Sequence, residues 1–338
     1  MYAALLLVPF MILLLTIVFI TLNGPFIKNR TGTGIIRQIY EQIRLATRYA
    51  ILSPWYYIFE LQDEDKREHT GEYLNRFEIK AGIYKLRKYN GGLPIPVEHT
   101  TACIKNKACL KVRCNDKGIA TTPIFWNFKK GQIRKIDWQD EKLPEMDLFI
   151  KPLAGQGGGG TSRWDYLGSG RQYRGGDGMV AAGEQLIKYL RTASEHKTYL
   201  VQSLFINHRE ITNLADDTLA TIRVMSCRNE SDHYEVTDAV FRMARSSKTV
   251  VDNYHASGIT ANVDIQTGEL GRGIRGAWLT VADGWYDRHP ETNVPILHRR
   301  LPCWPEFIRF VQDAHGCLFS DQVVIGWEVA ILDTGPFA

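Results

Sequence analysis

The chain has 338 residues, 44% of them hydrophobic and 11% aromatic, which is enough to bury more than one compact unit and excludes a disordered protein. Its 41 basic residues are interspersed with 37 acidic ones for a formal charge of +4, and without a dense basic block nucleic acid is excluded as the main partner. The six cysteines (Cys103, Cys109, Cys114, Cys227, Cys303 and Cys317) form no CxxC pair and none has zinc-finger spacing to a histidine. They read as mostly reduced, buried thiols of a cytosolic compartment rather than as a disulfide framework.

Residues 1 to 23 carry no charged side chain, and AALLLVPFMILLLTIVFITL is long enough to cross a bilayer as a helix that tolerates Pro9. The basic n-region and small-residue cleavage site of a secretory signal are missing, so an uncleaved transmembrane anchor over residues 1–24 is expected. Lys28, Arg30, Arg37, Arg44 and Arg48 follow against the single acid Glu41. The positive-inside rule then makes this a single-pass protein of the inner, cytoplasmic membrane with its C-terminal bulk facing the cytoplasm.

Residues 34–60 repeat apolar positions at helical spacing (Ile35, Ile36, Ile39, Ile43, Leu45, Tyr49) with arginines between them. They predict an amphipathic juxtamembrane helix ended by Ser53-Pro54. The aromatic cluster Trp55, Tyr56, Tyr57 and Phe59 fits a headgroup layer and a packed core equally well. A solvated charged stretch, QDEDKREHT, precedes a second helix from about Gly71 to Tyr89, stopped by Asn90-Gly91-Gly92. Together these make a helical region over residues 25–92.

Residues 93–338 alternate helical and strand signals. A helix over residues 106–116 carries Ala108, Leu110 and Val112, and GIATTPIFWNF leads from a loop into a strand. Lys129 to Asp140 reads as a turn or hairpin tip, and PEMDLFIKP as a short, apolar, central strand ending at Lys151. MVAAGEQLIKYLRTA is helical, and TYLVQSLFI, LATIRVMSC, YEVTDAVFRMA, ITANVDI and VVIGWEVAIL are strands. Turns are expected at Gln266-Thr267-Gly268 and Asp333-Thr334-Gly335, and Trp304 to His315, opened by Pro305, is a helix.

The stretch DLFIKPLAGQGGGGT (Asp147 to Thr161) joins a strand-end lysine to a run of glycines. A lysine can set a point charge on phosphate oxygens, and glycines let backbone N–H groups approach an anion closely. No GKS or GKT closes it as a P-loop, and no GxGxxG opens a helix. Alone it is equally compatible with a flexible surface loop. Its neighbours carry more: Asn106-Lys107 at a helix start, Gln202 inside a third strand followed by His208 and Glu210, and Glu328 in GWEVAIL before the turn at Asp333.

In that order the motifs resemble the ATP-grasp superfamily, most closely the sugar-transfer associated ATP-grasp proteins, over residues 100 to 338. The resemblance implies an α+β fold of two α/β lobes with the nucleotide between them, here preceded by the transmembrane helix and the helical segment. It implies ATP and Mg²⁺ as cofactors. Lys107 is similar to the lysine on the α-phosphate side, and Lys151 to the one reaching the α- and β-phosphates. The loop with Gly155, Gly157, Gly158 and Gly159 resembles the flap over the triphosphate. Gln202 would meet the adenine, backbone groups of Ser203 and Leu204 the purine edge, and His208 or Glu210 the ribose. Arg223 would act near the γ-phosphate or acyl substrate, and Glu328 would hold the metal. Arg242 and Asn253 are candidate acceptor or phosphate contacts.

Each residue has a plainer reading: Lys107 as a solvated helix residue, Arg223 as an ion-paired core residue, Asn253 as part of a turn-rich loop. Glu328, between Trp327 and Val329 in an apolar strand, requires a partner if its side is buried. The family continues past the Gly-Pro turn into a strand carrying a glutamate and an asparagine that complete the Mg²⁺ site, whereas this sequence stops at Ala338. A fragment, or a protein without its metal ligands, is expected.

The resulting expectation is a membrane-held ligase that activates a carboxylate as an acylphosphate for attack by an amine or other nucleophile, on a cell-envelope or exopolysaccharide precursor. The substrate would be a carboxylate-bearing small molecule or saccharide-linked group. Two alternatives stay open, a phosphotransferase acting on a hydroxyl or sugar and a catalytically silent nucleotide-binding scaffold.

Overall fold

The computed structural model describes residues 2–73, 81–82, 85, 103–104, 106–153, 159–168, 170–215, 218–246, 258–275, 280 and 285–337. The chain divides into two compact units, Met1–Gly92 with Arg275–Trp285, and Leu93–Ile274 with Tyr286–Ala338.

The first unit is helical. Helix α1 (Tyr2–Thr31) has Pro9 and Pro25 inside it and Lys28 and Arg30 in its last turn, where cations complement the helix dipole. Helix α2 (Ile35–Tyr49) stops at Ala50, whose φ of 54° lies in the left-handed region. The expected stop at Ser53-Pro54 is therefore corrected: these residues open α3 (Ser53–Ile58), because proline in a first turn removes an N–H that has no helical partner anyway. A short α4 (Glu64–Glu68) and a 3₁₀ turn (His69–Glu72) follow. The helix expected from Gly71 to Tyr89 lies largely outside the described residues. Of the aromatic cluster, Tyr56 and Tyr57 are core residues: the Tyr56 hydroxyl donates to Glu41 Oε2 at 2.7 Å and the Tyr57 hydroxyl to Gln38 Oε1 at 3.2 Å.

The second unit holds α5 (Lys107–Lys117) and two sheets. The first sheet is built from β1 (Ile124–Lys129), β2 (Gln132–Lys135), β3 (Leu148–Pro152), β4 (Ser162–Tyr166), β5 (Gln172–Gly175), β6 (Val180–Ala182) and β7 (Tyr199–Ser203), in the order β2-β1-β7-β3-β4-β5-β6. Strand β3 is central, as its apolar sequence requires. Helix α6 (Gly183–Ala193) follows β6, so only the latter part of the apolar run from Met179 is helical. It brings Leu186 and Leu190 into a core with Trp126, Phe128, Leu148, Ile150 and Val201.

After a short α7 (Thr212–Ala215) comes the second sheet: β8 (Thr221–Arg228), β9 (Tyr234–Met243), β10 (Ile259–Val263), β11 (Leu270–Arg275), β12 (Trp285–Tyr286), β13 (Val324–Leu332) and β14 (Gly335–Phe337), ordered β12-β11-β10-β9-β8-β13-β14. Helix α8 (Trp304–Phe319) buries Phe307, Val311, Ala314 and Leu318 in one core with Ile222, Val224, Phe241, Trp327 and Val329. One strand face is thus used up in packing, and alternation sends Arg223, Arg242 and Glu328 to the other.

The turn before β11 is locked onto α8. Gly268 has φ +72°, and a Cβ there would lie 2.5 Å from Trp304 Cγ, while the Trp304 indole N–H donates to the Ile265 carbonyl at 2.8 Å. Gly268→Ala is expected to destabilise the protein by about 2 kcal/mol, through left-handed strain and displacement of the tryptophan. An unchanged denaturation midpoint would contradict this.

The cysteine expectation is corrected in part. Cys103 and Cys109 are disulfide-bonded, their Cα atoms 4.9 Å apart, because the turn before α5 folds the chain back on itself. Of the other four, Cys114 is buried as expected, whereas Cys303 and Cys317 are exposed.

Candidate functional site

Antiparallel register decides which side chains share the open face of the first sheet. Lys151 of β3 lies opposite Leu200 of β7, and Leu200 lies opposite Asn127 of β1. One step along, Phe149 faces Gln202, which faces Ile124. These six residues project to one side, while Leu148, Ile150, Val201, Trp126 and Phe128 project into the core under α6.

Lys151 Nζ sits 5.8 Å from the centre of the Phe149 ring. Burial, reinforced by the Lys107 charge and opposed by Glu328, pushes its pKa down to about 8. Lys107 is the first residue of α5, so charges from α5, β3 and β13 converge on one place. Asn106 accepts the Cys109 N–H at 3.3 Å and so fixes the start of this helix. Lys111, one turn further on, pairs with Asp137 Oδ2 at 3.4 Å, and the same oxygen accepts the Ile124 N–H at 2.8 Å, tying α5 to β1.

Two acceptors near Lys151 have no donor among the described residues: the side-chain oxygens of Gln202 and Asn127 are buried without a hydrogen-bond partner there, as are polar side-chain oxygens of Gln42, Gln62 and Thr292 elsewhere. An unmatched buried carbonyl oxygen is costly unless a ligand supplies the donor. Asn127 was missed in the sequence. Its signal was a polar residue inside the apolar run IFWNFK, but only the pairing of β1 with β7 places it in the row of Lys151.

On the second sheet, Glu328 lies opposite Arg223. Its Oε1 receives Arg242 Nη1 at 2.9 Å and Arg223 Nη1 at 3.4 Å. Gly326, two residues before it, leaves the space for this: a Cβ there would stand 2.9 Å from Arg223 Nη2. Glu328 is exposed rather than buried, so burial does not force a partner on it, yet it is paired with two guanidinium groups.

The remaining candidates have other contacts. The Leu204 N–H donates to the Asp147 carbonyl at 3.0 Å, and the Ser203 hydroxyl to the Leu204 carbonyl at 3.3 Å, so the Leu204 amide is not open to a purine edge. His208 Nε2 stands 3.6 Å from Asp333 Oδ1, and His208 Nδ1 accepts the Glu210 N–H at 3.2 Å. The Glu210 carbonyl receives Arg299. The Arg209 backbone N–H and guanidinium hold the Asp333 carboxyl below the usual carboxylate range. Gly159 is exposed, while Gly155, Gly157, Gly158 and Asn253 lie outside the described residues.

Residues 94–337 match the model of the family described as sugar-transfer associated ATP-grasp. The chain belongs to that family. Its fold is accordingly the ATP-grasp fold, with Lys151 on the first sheet, Arg223, Arg242 and Glu328 on the second, and Lys107 at the start of α5. Among solved structures, the L-amino acid ligase from Bacillus licheniformis is similar over 73% of this chain and 41% of that one, at 12% identity and a TM-score of 0.37. The chain thus spans less than half of that ligase. Comparison with curated proteins gave no match.

The residues suit the family's nucleotide better than its metal. Cationic Lys107 and Lys151 and the two orphaned acceptors are what a triphosphate and an amino-bearing base demand. Among the described residues no group of three or more His, Cys, Asp or Glu side chains converges to hold a metal, and Glu328 is engaged by two arginines.

Proposed function

We propose that this family member binds ATP on the face carrying Lys151 and uses it to activate a carboxylate. The observation that carries the nucleotide reading is the pair of orphaned oxygens, Gln202 Oε1 and Asn127 Oδ1, in the rows next to the buried Lys151. The exocyclic amine of adenine would supply their donor. Lys151 and Lys107 would neutralise the phosphates, and Mg²⁺, when bound with ATP, would neutralise the rest of the triphosphate.

In the reaction proposed, a carboxylate oxygen attacks the γ-phosphorus, the bond to the β-phosphate bridging oxygen breaks and ADP leaves. An amine or other nucleophile then attacks the carbonyl carbon, phosphate departs and the nucleophile loses its proton. In this reading Arg223 and Arg242, both on Glu328 in the nucleotide-free protein, would bind the carboxylate or the transferred phosphoryl group. The substrate we infer is a cell-envelope or exopolysaccharide precursor, following the family's association with sugar transfer. Helix α1, long and apolar enough to cross a membrane, would hold the enzyme beside a lipid-linked substrate. Lys28 and Arg30 favour the cytoplasmic side, where ATP is supplied.

Replacing an orphaned acceptor should separate stability from binding. Gln202→Leu is expected to leave the nucleotide-free protein as stable as wild type or more so, while weakening ATP about tenfold, measured by titration calorimetry. A loss of stability with unchanged affinity would remove Gln202 from the site. Hydroxylamine added during turnover should yield a hydroxamate together with ADP. ADP without hydroxamate, across carboxylate and hydroxyl acceptors, would favour the phosphotransferase.

A further inference from the structure

Helix α2 is packed with its polar side inward. Gln38, Glu41 and Gln42 are buried, and the hydrogen bonds they make stay inside the unit, although Gln42 Oε1 has no partner among the described residues. Glu41 takes Arg37 Nε at 2.9 Å, Arg67 Nη1 at 3.0 Å and the Tyr56 hydroxyl; Gln38 Nε2 donates to the carbonyls of Gly24 and Thr33; Gln42 Nε2 donates to the Tyr57 hydroxyl at 3.1 Å. The outer stripe is apolar: Ile36 is 84% exposed, Tyr40 63% and Ile43 38%. A helix on a water-facing surface has the reverse pattern. Beside this stripe, Arg44 and Arg48 form an exposed basic edge one helical turn apart.

What covers the stripe follows from the helix on which α2 rests. Gln38 meets α1 at Gly24, which has no Cβ and so lets Ile35 close to within van der Waals contact. The Thr16 and Ser53 hydroxyls meet at 3.1 Å, so the chain after α2 has travelled back along α1 to residue 16. That part of α1 belongs to its candidate membrane span, Leu7–Thr31, and carries outward-facing Ile17, Val18 and Leu22. The outer stripe of α2 is therefore at the depth of α1's own apolar surface.

We infer that α2 is a second membrane-contacting element, its Ile36–Tyr40–Ile43 stripe lying against the acyl chains of the bilayer. Internal pairing of Gln38 and Glu41 satisfies polar groups that lipid cannot. This goes beyond the single anchor of the proposed function and does not depend on the reaction.

The test uses the full chain in vesicles, with Tyr40→p-benzoylphenylalanine, a substitution at an exposed position. Phe10 of α1 and Glu64 of α4, given the same photoreactive residue, serve as lipid-facing and water-facing comparisons. Illumination in vesicles containing phosphatidylglycerol is expected to give a phospholipid adduct at position 40 within a few-fold of that at position 10, and little at position 64. A covalent dimer of the chain at position 40, or absence of lipid adduct there while position 10 reacts, would overturn the inference.

Discussion

Lys151→Met is expected to abolish ATP-induced thermal stabilisation and, at pH 7, to raise the melting temperature of the nucleotide-free protein. The two effects have opposite signs because they report different costs. Burial and Lys107 hold the Lys151 pKa at about 8, below its ordinary 10.5, so the folded protein releases this proton more readily than the unfolded chain. Between these two values stability rises with pH; below about 8 the whole cost of the buried charge, about 3 kcal/mol, is present. Methionine removes it, so the gain should be full at pH 7 and vanish above the unfolded value. With a triphosphate present the balance inverts, and the charged lysine becomes a net contributor. Turnover should fall by about two to three orders of magnitude with Met. Wild type should also take up a proton on binding ATP near pH 9, seen as a buffer-dependent heat that the variant lacks. Equal ATP-induced shifts in both proteins would place Lys151 outside the site.

Glu328→Gln should separate binding from chemistry. The carboxylate counters two guanidinium groups, one of them, Arg242, only 11% exposed in its side chain. Its neutralisation removes the carboxylate shared by Arg223 and Arg242, and because Glu328 and Arg223 are about half exposed we expect a stability loss of at most about 1 kcal/mol. The same change makes the face more positive, so ATP affinity should hold or improve, whereas carboxylate-dependent ADP release should drop by about a hundredfold. A parallel loss of affinity and turnover would mean that Glu328 acts in binding alone. Comparison of KM with kcat, with Glu328→Asp as the conservative control, distinguishes the cases.

How far the sequence showed these features differs by element. The strands of the second sheet were legible because ITANVDI alternates strictly, VVIGWEVAIL is a long apolar run, and their turns carry glycine. The end of α2 was not, because Ser53-Pro54 signals a helix boundary without saying which side of it is helical, and the stop is made by Ala50, a residue with no intrinsic left-handed preference. Lys107, Lys151 and Glu328 were found through ordered motifs. Their mutual proximity joins α5, β3 and β13, elements far apart in the chain, which periodicity does not encode. The insertion of β7 between β1 and β3 hid Asn127. The arginine pair on Glu328 was half visible: both arginines had been singled out, but their common partner requires the register of β13 on β8 and β9 on β8. The Cys103–Cys109 bond escaped because a six-residue separation matches no spacing rule, and a turn conformation alone closes it.

The charge arrangement around Lys151 has a kinetic consequence. Lys107, Lys151, Arg223 and Arg242 are gathered near the carboxylate of Glu328, which is already engaged by two of them. The surplus of positive charge acts at range, before any contact is made, and would draw a polyanion in from solution faster than undirected diffusion delivers it. Such capture fades as added salt shortens the Debye length, whereas release, governed by short contacts to partly buried groups, changes far less. ATP association should therefore slow steeply with ionic strength while its dissociation stays nearly constant.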